Sequence, residues 1–166
     1  MEDKIRENLT RNYKDLYRFV YRMIGNHELS EDIVQESFYK LSLKEKKTHN
    51  MESTRCWLFV VARNLCMDHF RKSKRHGELI QKKEVKDNIN PSDNAIESEQ
   101  RRLLEKAISQ LTPIMREAII LREYEKLSYK EISEIIKCPI GTVKSRIASA
   151  RMELLNTLKP ILEVES

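Results

Sequence analysis

The chain has 166 residues, 31 Lys and Arg against 26 Asp and Glu, and a net charge of +5, a length that holds one domain or two small ones. It is 40% hydrophobic and 34% charged, which favours modest cores over one deep one. With 3 Gly and 4 Pro beside abundant Glu, Lys, Leu and Ile, the composition argues against a collagen, a glycine-rich phosphate-loop enzyme and an all-β sandwich, and predicts an all-α chain with few tight turns.

The first predicted helix covers 5–24, with Leu9, Tyr13, Leu16, Tyr17, Val20 and Ile24 at helical spacing. Gly25-Asn26 stops it, glycine being the usual left-handed terminator. Ser30 is the expected cap of the next helix, with Glu31 and Asp32 in its first turn. That helix turns Val34, Phe38 and Leu41 inward and runs to Leu43. No apolar period runs through 44–54, which reads as a loop. A third helix is expected over 54–72.

From 77 to 100 the character changes, with Asn88, Asn90, Pro91, Ser92, Asp93 and Asn94 clustered among scattered charges. This is the credible linker, and it divides the chain into domains at 1–76 and 101–166. Beyond it Leu103, Leu104, Ala107, Ile108 and Leu111 keep a helical period. Thr112-Pro113 then has the N-cap and first-position chemistry of a helix over 114–124. Ser128-Tyr129-Lys130-Glu131 carries capping-box spacing and opens a helix with Ile132, Ile135 and Ile136 inward. Pro139-Ile140-Gly141 is the expected turn. Thr142 then starts a last long helix carrying Val143, Ile147, Leu154 and Leu155.

Two short helices joined by a tight turn have helix-turn-helix proportions. A helix that enters the major groove shows hydrogen-bonding side chains near its N-terminus and packs its other face on the domain. Lys144, Ser145 and Arg146 occupy the first position type, and Val143, Ile147 and Leu154 the second. Thr142 and neighbouring N–H groups suit a phosphate at the helix N-terminus. The bland alternative is a helical hairpin with a solvated cationic face. Leu127-Ser128-Tyr129-Lys130-Glu131-Ile132, followed by Cys138-Pro139-Ile140-Gly141-Thr142-Val143-Lys144-Ser145-Arg146-Ile147, resembles region 4 of bacterial sigma factors of the extracytoplasmic-function type. The resemblance implies binding of the −35 promoter element and of the RNA polymerase beta flap. Carried over by motif position, Thr142, Lys144, Ser145, Arg146 and Arg151 face DNA. Ala148-Ser149 stands where many members have a bulky residue and arginine, and Lys137 where helix-turn-helix proteins often use glycine.

On a 100° wheel the third helix turns Leu58, Phe59, Ala62, Leu65, Cys66 and Phe70 to one side. Trp57, Asn64, Asp68, Arg71 and Arg75 align on the other, running into Arg71-Lys72-Ser73-Lys74-Arg75. Aromatics stack on unpaired bases, amides read their edges and arginines hold phosphates. The alternative is a solvated stripe in which Asp68 pairs with Arg71, three residues away, and Trp57 covers the core. The stretch Trp57-Leu58-Phe59-Val60-Val61-Ala62-Arg63-Asn64-Leu65-Cys66-Met67-Asp68-His69-Phe70-Arg71 resembles sigma region 2. That implies −10 recognition and promoter melting by Trp57, Arg63, Asn64, Asp68, Arg71 and Lys72. Asn64 would contribute to a pocket for an extruded base, closed over by the loop at 44–54.

Asp32, Gln35, Glu36 and Tyr39 form an acidic stripe in a basic protein. DNA would repel such a face, so a protein partner is expected, unless it is simply solvated. Asp32-Ile33-Val34-Gln35-Glu36 resembles the part of region 2 that docks on the clamp helices of the polymerase beta-prime subunit. Cys66 and His69 have no second pair at metal-site spacing, and neither a phosphate loop nor a nucleophile motif is present. No apolar run nears the ~18 residues of a membrane span, and Met1-Glu2-Asp3-Lys4 does not open a signal peptide. Cys56, Cys66 and Cys138 imply no disulfide framework.

The resemblance thus implies a cytoplasmic, non-enzymatic promoter-specificity subunit, with no cofactor, no metal, no small-molecule substrate and no membrane insertion. Its implied partners are core RNA polymerase, promoter DNA and an anti-sigma factor. The rival is a stand-alone helix-turn-helix regulator. A charge of +5 and the missing recognition-helix arginine argue for weak autonomous duplex binding.

Overall fold

In the computed structural model, which describes residues 2–44, 51–77 and 95–164, Gly25 takes φ +73° and donates its N–H to Tyr21 O at 2.8 Å. This closes α1 (Glu2–Ile24). The next residue already opens α2 (His27–Leu43): Asn26 is extended, and its Oδ1 accepts the Leu29 N–H at 3.0 Å. The cap is therefore Asn26 and not Ser30. Ser30 is buried one turn inside the helix, its hydroxyl donating to Asn26 O at 2.6 Å. Both residues are good caps, and the one beside the left-handed glycine prevails because the chain has already turned there.

Helix α3 (Met51–Arg75) takes in 51–54, expected as loop, and runs three residues past the expected end. Lys72, Lys74 and Arg75 in its last turn complement the negative end of the helix dipole. Helix α4 (Ala95–Gln110) begins inside the span expected as linker. Most of that linker, 78–94, and most of the expected closing loop, 45–50, lie outside the described residues.

Thr112 caps α5 (Pro113–Glu123) with Pro113 in its first turn. The capping box of α6 (Tyr129–Ile136) is complete: Ser128 N–H donates to Glu131 Oε2 at 2.7 Å, and Glu131 N–H to Ser128 Oγ at 3.1 Å. The turn that follows is made by Lys137, in the left-handed region at φ 54°, ψ 53°, at a strain of about 1 kcal/mol for a residue with a Cβ. Ser133 Oγ braces it, donating to Cys138 O at 2.6 Å. Because the chain turns at Lys137, α7 (Ile140–Val164) starts two residues before Thr142, and Gly141 lies within its first turn.

Among the described residues there are seven helices and no strand. Helices α1, α2 and α3 pack together, as do α5, α6 and α7, while α4 lies on α7. The expectation of separate modest cores is corrected. Leu16, Phe19, Val20, Met23, Phe59 and Cys66 belong to one contiguous buried cluster with Ile120, Ile132, Ile135, Val143 and Ile147. Helix α1 touches α4 and α5, and α3 touches α5 and α6. At the chain's outer ends the apolar period outruns the core: Leu9, Tyr13 and Leu155 are exposed, and Leu154 is half-buried.

Phe59 is fully buried, with its ring edge-on to Phe19 at 5.4 Å between centroids. Phe59→Ala is expected to cost about 3–5 kcal/mol. At about 2–4 °C per kcal/mol for a chain of this size, Tm should fall by roughly 10 °C in a thermal circular-dichroism scan. Leu155→Ala, on the exposed end of α7, should leave Tm within about a degree or two.

Candidate nucleic-acid interface

The first turns of α7 stand on a buried row, Val143, Ile147 and Ala150, that packs against α5 and α6. This packing leaves Lys144 and Ser145 exposed and Thr142 half-buried. Lys144 Nζ lies 5.5 Å from the Tyr129 ring centroid, and the Arg122 guanidinium 4.2 Å from the same ring. The Ser145 hydroxyl turns back to Thr142 O at 3.0 Å. Arg151 is held by Glu123 of α5, with Nε 3.2 Å from Oε1. Arg146 points inward, its Nη1 3.8 Å from Glu117 Oε1.

On α3 the wheel orders the side chains as expected on the inner side: Leu58, Phe59, Ala62 and Cys66 are buried, with Leu65 and Phe70 partly buried against them. On the other side Asp68 and Arg71 are exposed and paired, Arg71 Nη2 donating to Asp68 Oδ1 at 2.5 Å. Lys72 and Arg75 are exposed. Trp57 is partly buried against the core, with Lys44 Nζ 4.8 Å from its ring. Asn64 is half-buried, its Oδ1 3.4 Å from Arg63 Nη1. Arg63 reaches across to α5: Nε donates to Glu117 Oε2 at 2.6 Å and Nη2 to Oε1 at 3.1 Å.

The candidate DNA residues therefore fall on two surfaces, on α3 and α7, that meet at one point. Glu117 is fully buried and receives Arg63 from α3 and Arg146 from α7. Burial pushes its carboxyl above the ordinary value, and the hydrogen bond and charge of Arg63 oppose that shift. The bond to Glu117 in turn holds the Arg63 guanidinium more firmly protonated. Asp32, Gln35, Glu36 and Tyr39 lie on an exposed face of α2, with Glu36 bridged to Lys40 at 3.4 Å.

Further polar contacts cross between α1–α3 and α4–α7. Arg22 Nε lies 3.2 Å from Glu105 Oε1, with its guanidinium 3.8 Å above the Tyr124 ring. Burial and Glu105 push the Tyr124 hydroxyl up to about 12. Arg55 bridges Glu125 across the halves at 3.3 Å and Asp15 of its own half at 3.6 Å. Arg116 donates to Met23 O at 2.5 Å, Ser109 O at 2.7 Å and Leu111 O at 2.8 Å. It thereby satisfies carbonyls at the C-terminal ends of α1 and α4.

Sequence reasoning singled out none of Arg22, Arg55, Glu105, Arg116, Glu117 and Glu125. The available signal was faint: Glu117 precedes the buried run Ala118-Ile119-Ile120-Leu121 and shares its burial. Among the described residues no group of His, Cys, Asp and Glu is gathered to hold a metal, and none of the helices is long and apolar enough to cross a membrane. Burial pushes the Cys66 thiol far up, which makes it an inert core residue.

The family model for sigma-70 region 2 matches residues 9–76, and that for sigma-70 region 4 matches 101–154. The ECF RNA polymerase sigma factor SigW of Bacillus subtilis is 32% identical over 161 residues, covering 90% of this chain and 86% of that protein. The ECF RNA polymerase sigma-E factor of Haemophilus influenzae is 32% identical over 142 residues, covering 79% and 75%. The sigma factor RpoE from Bartonella quintana, solved in complex with the anti-sigma factor NepR, is similar with a TM-score of 0.76 at 27% identity, over 96% of this chain and 98% of that one.

Proposed function

The chain belongs to the sigma-70 family, as a member of its extracytoplasmic-function branch, and from that premise we propose how its surfaces divide the work of promoter-specific initiation. The family consists of non-enzymatic specificity subunits, so polymerisation is left to core RNA polymerase. The acidic face of α2, with Asp32, Gln35, Glu36 and Tyr39, docks on the beta-prime clamp helices, and the second domain meets the beta flap. Thr142, Lys144, Ser145, Arg146 and Arg151 read the −35 element as duplex. Trp57, Arg63, Asn64, Asp68, Arg71 and Lys72 take the −10 strand once it is melted. The domain limits proposed for this division are 1–76 and 101–166, and the protein works in the cytoplasm.

The observation that carries the reading is the pairing, in one chain and in this order, of a three-helix unit bearing the α3 aromatic-amide-arginine stripe with a helix-turn-helix whose second helix exposes Lys144 and Ser145. The first suits unpaired bases and the second a major groove. Control by an anti-sigma factor is supported by the likeness to RpoE, which was solved with one bound.

The test is run-off transcription on fragmented genomic DNA by purified core polymerase, with and without the chain. Discrete new transcripts behind a shared two-part upstream motif are expected, and Asn64→Ala should lose strand opening while upstream protection persists. No core binding and no transcripts, with tight salt-sensitive duplex binding alone, would replace this reading with a stand-alone regulator.

A further inference from the structure

Arg63 and Arg146, one from each proposed DNA surface, are both turned onto the same buried carboxylate. Arg63 commits Nε and Nη2 to Glu117, and its side chain is 19% exposed. Two of its five N–H donors go to Glu117 and one to Asn64 Oδ1, and the fork that would grip a phosphate bidentately is the one turned onto the carboxylate. Helix α6 packs on α3 in the same arrangement, so the first helix of the helix-turn-helix sits against the helix proposed to receive the melted strand.

The contacts flanking this point have the character of a reversible joint. Arg22 with Glu105 and Tyr124, Arg55 with Glu125, and Arg116 with Met23 O are charged or polar contacts that span the two halves. These polar contacts accompany an apolar cluster that continues across the two halves, so opening frees the ion pairs and hydrates part of that cluster. Relative domain motion is the default unless such a cluster is large enough to prevent it. We propose that Glu117 is an internal competitor of promoter DNA: it holds Arg63 across the two halves in a closed form of the free chain, and the chain must open at this joint before Arg63 can meet nucleic acid. Arg146 shares the carboxylate from within the same half as Glu117. The inference rests on the assignment of Arg63 to DNA made above.

The test uses the free full-length chain and two readouts that need neither polymerase nor a known promoter. One is the radius of gyration by small-angle scattering. The other is anisotropy with fluorescent mixed-sequence probes, one duplex and one single-stranded. The wild-type chain should be compact, near the ~15 Å expected for this length, and bind both probes weakly. Glu117→Gln should increase the radius by about a quarter and tighten binding about tenfold, which is the release of two arginines in a near-isosteric variant.

Glu97→Gln, exposed at the start of α4, makes the same change in charge away from the joint and should do neither. Arg22→Gln loosens the joint from its far end while removing a positive charge. It should still raise the radius and the affinity, against the sign of its charge change, and it keeps the proposal testable if Glu117→Gln fails to fold. A Glu117→Gln chain that folds and is no more open and no tighter than Glu97→Gln overturns the proposal, as does opening without tighter binding. Run-off transcripts that appear while these variants stay silent remove the latch alone. Silent run-off with an opening Glu117→Gln removes the sigma-type assignment of the surfaces and leaves the joint standing.

Discussion

Arg63→Ala is expected to be the more damaging way to cut the Arg63–Glu117 pair, by about 3–5 kcal/mol at its limit, against about 1 kcal/mol for Glu117→Gln. The asymmetry follows from exposure. Glu117 is fully buried, whereas the Arg63 side chain keeps 19% of its surface. Removing the arginine strands a carboxylate in the core, with Arg146 Nη1 at 3.8 Å as the other cation the structure gives it. Removing the acid frees an arginine that can turn to water. The stranded carboxylate has two exits. It can take up a proton, toward which burial already pushes it, or the two halves can part and hydrate it. The loss in stability is therefore capped by whichever exit lies lower. Exchanging both residues for apolar ones of similar volume, Arg63→Met with Glu117→Leu, removes the stranded charge and should recover most of the loss. Denaturant titrations of the four chains provide the double-mutant cycle. Equal losses from the two single changes would show that the buried charge is not what matters at this contact.

The elements were legible wherever one local signal stood alone. Gly25 as a terminator, Thr112-Pro113 as a start, and the Ser128–Glu131 box act over three or four residues, so their chemistry is complete within the stretch that reveals it. Boundaries moved where two local signals competed: Asn26 against Ser30 at the start of α2, and Lys137 against Gly141 at the turn before α7. The pairing of Asp68 with Arg71 was readable for the same reason, since helical geometry fixes neighbours three apart. The joint was not readable. Arg63 and Glu117 are 54 positions apart, and Arg22 and Glu105 are 83. No periodicity links residues on different helices of different halves. In local sequence Arg116-Glu117 looks like any solvated pair, and its burial is decided by α1 and α3 arriving from the other side. The single core has the same origin: Phe19 and Ile132 each sit on a helix face whose apolar period says that it is covered, without saying by what.

The second large effect is in the pH dependence, with Glu125 its main source. Its side chain is 6% exposed in the turn after α5. Burial and then the negative charge of Asp15 raise its carboxyl, while Arg55 on α3 and Arg22 and Arg18 on α1 lower it, and the balance lies at about 7. A folded-state value above the ordinary 4.5 means that the closed chain holds this proton more tightly than the opened or unfolded chain does. The stabilisation is fully present below the ordinary carboxylate range and is lost as pH rises through about 7. Glu117 is displaced in the same direction and adds to the slope. Tm is therefore expected to be higher near pH 5.5 than near pH 8, by an amount equivalent to about 2–3 kcal/mol. Glu125→Gln, neutral throughout, should flatten most of that difference. A wild-type Tm that is level or rises over this range, or a slope that survives in Glu125→Gln, would place the proton elsewhere. Because Glu125 meets Arg55 across the two halves, the same proton must also bias their opening: a rise in pH through about 7 loosens the joint that Arg63 and Glu117 close.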